Sequence, residues 1–79
     1  MNPATAFGRA LSYFRKDLRL SQERLAQKSG LDRSYISLLE RGIRQPSLTT
    51  IFQIAQALNL PLQELVAKVE EELRENSKD

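Results

Sequence analysis

A chain of 79 residues buries roughly 60% of the surface its extended form exposes, which supports one modest core and predicts a single domain without a separate catalytic or effector unit. There is no cysteine, which excludes a disulfide framework and a thiolate metal site, and 41% hydrophobic with 28% charged residues is the balance of a folded, water-facing chain rather than a disordered one. The net charge of +2 hides an asymmetry: residues 1–46 carry nine Lys/Arg against four Asp/Glu (+5), residues 47–79 three against six (−3), so the N-terminal half is where a polyanion is steered.

Five helices are predicted, with no strand signal and no internal repeat. Asn2 and Pro3 read as a cap followed by a first-turn proline, opening a helix over 3–18 whose apolar stripe is Phe7, Ala10, Leu11, Phe14 and Leu18. Ser21 caps a second helix, 22–29. Leu25, Ala26 and Ser29 share one of its faces, with small residues where another helix must approach closely. Gly30 suits the left-handed position that ends a helix, because it has no Cβ. Asp32 is the next N-cap candidate, and Ile36 and Leu39 give the helix over 33–41 its inward stripe. Outward on that helix are Arg33, Ser34, Tyr35, Ser37, Leu38 and Arg41. A loop ends at Pro46, which lacks an amide donor and stiffens the approach to the fourth helix. That helix is capped by Ser47, with Leu48, Ile51, Ile54, Ala55 and Leu58 facing in. Asn59 tolerates a left-handed stop, and Pro61 is placed in the first turn of the fifth helix. Leu62, Leu65, Val66, Val69 and Leu73 form its stripe, ahead of a polar tail over 75–79 that is expected to fray.

The pair of short helices over 22–41, joined by a tight glycine turn, presents one helix edge-on to a DNA groove. Six segments in order, Leu20-Ser21-Gln22, Leu25-Ala26-x-x-Ser29-Gly30-Leu31, Tyr35-Ile36-Ser37, Leu39-Glu40-Arg41-Gly42, Pro46-Ser47-Leu48 and Ile54-Ala55-x-Ala57-Leu58, resemble the Xre/Cro helix-turn-helix family. Phage repressors, restriction–modification controller proteins and many bacterial regulators belong to it. The resemblance spans roughly residues 7–65. It implies an all-α, compact five-helix bundle of the lambda repressor-like type, a core over 3–74, and sequence-specific DNA binding in transcription regulation.

In such proteins the second helix of the pair lies in the major groove and its first residues reach base edges. Arg33 is there able to form two parallel bonds to guanine O6 and N7, worth about 1–3 kcal/mol of discrimination. Ser34 reaches a base or a phosphate, Tyr35 a thymine methyl or a phosphate, and Leu38 either packs on a methyl group or belongs to the peripheral core. Phosphate contacts are expected from Gln22 and Ser47, at helix starts whose free amides favour an anion, from Ser37, and from Arg41 and Arg44 at and after the end of the groove helix. In the resembled family a glutamine matching Gln22 commonly grips a phosphate and braces the groove helix. The resemblance also pairs Arg15 with Glu40 as a structural ion pair; sequence leaves open whether that pair is buried.

One unit of this size meets one half-site, and two-fold dimers bind half-sites about 34–36 Å apart. The fifth helix continues its stripe through Val69 and Leu73 beyond what a small core requires. With Leu62, Val66 and Phe52 it is therefore read as a homodimer surface, the competing reading being a helix folded back over its own core. No histidine, cysteine or glycine-rich phosphate loop supports an enzyme, so no catalytic residue, cofactor or metal is expected. Asp17, Glu23, Asp32 and Glu40 are assigned to caps, helix dipoles and the ion pair. A protein-interaction module without DNA binding stands as the other class. Within the regulator class, a stand-alone repressor or activator, a restriction–modification controller and an antitoxin repressing its own operon all remain open. The expected partners are double-stranded DNA and a second copy, with a toxin or RNA polymerase contact open beside them. No apolar run approaches a membrane span and no signal-peptide pattern opens the chain, so the expected setting is a bacterial or phage-encoded cytoplasmic protein on the nucleoid.

Overall fold

Local chemistry at the helix ends sets the architecture. The computed structural model describes residues 1–75 and holds α1 (Pro3–Asp17), α2 (Gln22–Ser29), α3 (Arg33–Glu40), α4 (Leu48–Ala57) and α5 (Leu62–Glu75), with no strand among the described residues. Of the tail expected to fray, Glu75 is the last residue of α5 and 76–79 lie outside the described residues. Three predicted caps close: Asn2 accepts from the Thr5 amide at 2.8 Å, Ser21 from Arg24 at 2.9 Å, and Ser47 from Thr50 at 3.1 Å. Asp32 stands at the N-cap of α3, but its side chain makes no cap bond.

The C-terminal ends of α1, α3 and α4 share one device. After α1, the Leu20 amide donates to Arg15 O and the Arg19 amide to Lys16 O; after α3, Ile43 donates to Leu38 O and Gly42 to Leu39 O; after α4, Leu60 donates to Ala55 O and Asn59 to Gln56 O. This crossed pair of bonds satisfies carbonyls that the helix leaves unpaired, and it needs a left-handed residue at the turn. Gly42 (φ 73°) and Asn59 (φ 56°) supply it, and so does Arg19 (φ 58°), a side chain that sequence reasoning does not select for that conformation. Gly30 ends α2 at φ 74° as expected.

Helices α2 and α3 have eight residues each, below the roughly 12–15 at which an isolated helix holds in water, so packing must hold them. Each of the five helices or its immediate end supplies a fully buried aliphatic side chain: Leu11, Leu25, Ile36, Leu39, Ile54, Leu58 and Leu65. Burial of one such side chain contributes about 1.5–3 kcal/mol. Phe7, Ala10, Ala26 and Ala55 complete the cluster. Two predicted core positions face solvent instead: Leu18 is 47% exposed and Leu48 67%. Both sit at helix ends, Leu18 as the C-cap of α1 and Leu48 as the first residue of α4. Helix α5 folds back along α1, and Lys68 fastens them, its Nζ lying 4.1 Å from the Tyr13 ring centroid and 3.4 Å from Glu71. Among the described residues no helix is long and apolar enough to cross a membrane.

Candidate nucleic-acid interface

Helix α3 is held from behind by α1 and α2. Ile36 and Leu39 are fully buried. Arg15, from α1, donates through Nε to Glu40 Oε2 at 2.6 Å, through Nη2 to Oε1 at 3.0 Å, and through Nη1 to Leu20 O at 2.8 Å. The paired side chains are only 12% and 8% exposed. The ion pair that the sequence suggested is thus a buried, two-pronged one, the geometry in which guanidinium and carboxylate match best. From α2, Gln22 Nε2 adds a bond to Glu40 Oε1 at 3.1 Å. Gln22 therefore has the bracing half of its expected role in place.

Sequence reasoning missed a third anchor, Gly8. A Cβ on Gly8 would stand 2.4 Å from Leu39 O and 2.7 Å from Glu40 O, so α1 meets the backbone of α3 there with no room for a side chain. The signal available in the sequence was a lone glycine inside an otherwise strong helical stripe.

On the opposite side, Arg33, Ser34, Arg41 and Arg44 are all exposed, as is Ser47 ahead of α4. Arg33 and Ser34 form the first turn of α3 with Asp32 just before them, and the Ser34 hydroxyl donates to Asp32 Oδ2 at 2.5 Å. Tyr35 is less outward than its position suggested: it is half-buried and packs against the core. Ser37 and Leu38 are half-buried on the flank. The Ser47 hydroxyl is engaged by Thr50, accepting from its amide and donating to its Oγ1 at 3.0 Å, so an anion meeting α4 at this end faces a closed cap. Asp17, at the last position of α1, is neither a cap nor paired favourably with the negative end of that helix dipole, which departs from the role assigned to it.

The residues read as a dimer surface divide. Phe52 is 52% exposed and Val66 43%, whereas Leu62 and Val69 pack against the core of their own chain and Leu73 is half-buried. Leu48 lies one turn before Phe52 and is also exposed, so the apolar surface left open on α4 is larger than the stripe predicted.

A basic, exposed edge on a short helix, clamped from behind by an adjoining helix across a glycine turn, defines the class, and a helix-turn-helix family model matches residues 11–65. The chain belongs to the helix-turn-helix family of DNA-binding transcriptional regulators. It is 38% identical over 64 residues to an uncharacterized regulator of this type from Sinorhizobium fredii, covering 81% of this chain and 83% of that one. Among solved structures it resembles the restriction–modification controller protein C.AhdI of Aeromonas hydrophila, at 47% identity and TM-score 0.76, covering 78% of this chain and 94% of that one. It also resembles the controller protein C.Esp1396I, solved as a tetramer on its natural 35-base-pair operator, at 26% identity and TM-score 0.87, covering 94% and 97%.

Proposed function

We propose that this chain regulates transcription as a homodimer on a two-fold or near-two-fold operator, with α3 in the major groove. The observation that carries the reading is the two-sidedness of α3: Ile36, Leu39 and Glu40 are locked inward while Arg33 and Ser34 stand free of the core at its first turn. A groove about 12 Å wide admits a helix edge of that kind. Arg33 reads guanine, Ser34 a neighbouring base, and Arg41 and Arg44, at and after the end of α3, hold phosphates of the opposite strand. Tyr35, anchored by its packing, orients the first turn, with its outer edge available to a thymine methyl, and Leu38 and Ser37 line the flank. Gln22, fixed on Glu40, meets the backbone at the start of α2. No part of this role calls for catalysis, and its setting is the cytoplasm.

Selection of binding sites from random duplex DNA tests the reading. The wild-type chain is expected to yield a motif with a guanine that Arg33→Ala relaxes, at a cost of about 1–3 kcal/mol in discrimination. Affinity should fall steeply between about 50 and 200 mM salt, as counterions are released on phosphate contact. Salt-indifferent binding, or a motif that Arg33→Ala leaves unaltered, would remove the assignment.

For the second copy, exposure selects the residue to change. Val69→Asp would injure the chain's own core, whereas Phe52→Glu alters a side chain that is mostly outside it. Phe52→Glu is expected to sediment as a monomer while keeping its helical circular dichroism. A variant that keeps the mass of a dimer places the interface elsewhere. Within the class, the restriction–modification controller role is favoured over the stand-alone repressor and the antitoxin by the 47% identity to C.AhdI across nearly all of that chain. A nuclease–methylase pair in the adjoining reading frames is the expected context.

A further inference from the structure

The first turn of α3 holds a bond that helix capping does not explain. Asp32 has the extended backbone of an N-cap (φ −75°, ψ 140°), yet its carboxylate accepts no helix amide. It takes the proton of the Ser34 hydroxyl instead, at 2.5 Å, and both residues are exposed beside Arg33. A free serine hydroxyl has one proton and two lone pairs, so it rotates to suit a donor or an acceptor, and in a groove it serves either kind of base edge. With its proton held by Asp32, Ser34 offers lone pairs only. An ionised carboxylate also offers lone pairs only. The turn therefore sets a guanidinium that only donates next to a couple that only accepts.

Resting on the assignment of α3 to the major groove, we infer that Asp32 is a specificity-determining residue. It fixes the polarity of Ser34 so that the couple reads a base amine, cytosine N4 or adenine N6, and rejects guanine O6 and thymine O4. Those two amines are the donors that bases present in the major groove; the other edges carry acceptors or the thymine methyl. An acceptor facing an acceptor leaves both groups without a partner in a desolvated contact, which is the expensive outcome. The carboxylate acts a second way. Its negative charge opposes close approach to phosphates, so it weakens binding to unrelated DNA while it sharpens the choice of base, a repulsive element that contributes specificity.

The test is binding-site selection by the full chain, comparing wild type with Arg33→Ala, Ser34→Ala, Asp32→Ala and Asp32→Asn. Wild type is expected to select cytosine or adenine at one position, distinct from the guanine governed by Arg33. Ser34→Ala and Asp32→Ala should both relax that position, with Asp32→Ala admitting guanine or thymine on the order of 10-fold more often and binding unrelated DNA more tightly. Asp32→Asn keeps an oxygen for the Ser34 proton and removes the charge but adds an amide donor, so it should gain affinity for unrelated DNA and admit guanine or thymine more often than wild type but less often than Asp32→Ala. A purely structural role for Asp32 would shift thermal unfolding and leave the preference alone. Guanine or thymine at the Ser34-dependent position, or an Asp32→Ala motif identical to wild type, overturns the inference. If the Arg33 effect persists in that case, the groove-helix reading stands without it; a wild-type chain that selects no motif removes both.

Discussion

Glu40→Ala is expected to lower stability by about 3–5 kcal/mol, the range seen when one partner of a buried ion pair is removed. The size follows from what is left behind. Arg15 would keep its bond to Leu20 O, but two of its three hydrogen-bonded nitrogens would lose their acceptor in a site where the side chain is only 12% exposed. Gln22 Nε2 would lose its acceptor as well. For a domain of this size each kcal/mol moves the unfolding midpoint by roughly 4–8 °C, so thermal unfolding followed by circular dichroism measures the effect directly. The double variant Arg15→Met, Glu40→Met should recover much of the loss, because a hydrophobic replacement carries no uncompensated charge. A Glu40→Ala cost below about 1 kcal/mol is the behaviour of a solvent-screened surface pair, and it would mean that water reaches the guanidinium at small expense.

Most of what positions α3 was legible in the chain because it is local. Asn2, Ser21 and Ser47 cap the helices that the spacing predicts, and Gly30 and Asn59 take the left-handed turns assigned to them. Apolar spacing located the buried face of every helix. Its two failures, Leu18 and Leu48, have one cause. Spacing gives the angle of a side chain around the helix axis but not how far along that axis the core extends, and both residues fall on the right stripe at a helix end that leaves about half or more of the side chain in solvent. Tyr35 fails in the converse way: its angle points to the flank, and a neighbouring surface unseen in the sequence half-covers it. At Asp32 two local bonds compete, one to a helix amide and one to the Ser34 hydroxyl, and residue identity permits both. The apolar stripe of α5 served two readings equally well. It is shared in fact, with Leu62 and Val69 on the chain's own core and Val66 outside it. Whether Glu40 was buried depended on α1, α2 and α3 meeting, which is a property of the assembled fold and of no segment within it.

Gly8→Ala is the variant in which intrinsic preference and packing pull hardest against each other. Inside a helix, alanine is favoured over glycine by about 1 kcal/mol, so propensity alone predicts a gain. Packing opposes it: the new Cβ would meet two backbone oxygens of α3, at 2.4 and 2.7 Å, and backbone cannot swing aside as the end of a long side chain can. Overpacking of a tight site typically costs about 1–3 kcal/mol, occasionally more. The net expectation is a loss of up to about 2 kcal/mol, comparable with that of Gly30→Ala, which meets nothing within 4 Å and bears only the left-handed backbone cost of about 1–2 kcal/mol. The displacement falls on Leu39 and Glu40, so α3 must tilt or the Arg15 bonds must lengthen. Either change turns the Arg33 edge relative to α2. Operator affinity should therefore drop in Gly8→Ala although no DNA-facing side chain has been altered, and comparing operator affinity with thermal unfolding in the same variant separates the two effects. A Gly8→Ala chain as stable as wild type and with full affinity would show that α1 and α3 part without consequence. In that event the presentation of the groove helix rests on the Glu40 cluster alone.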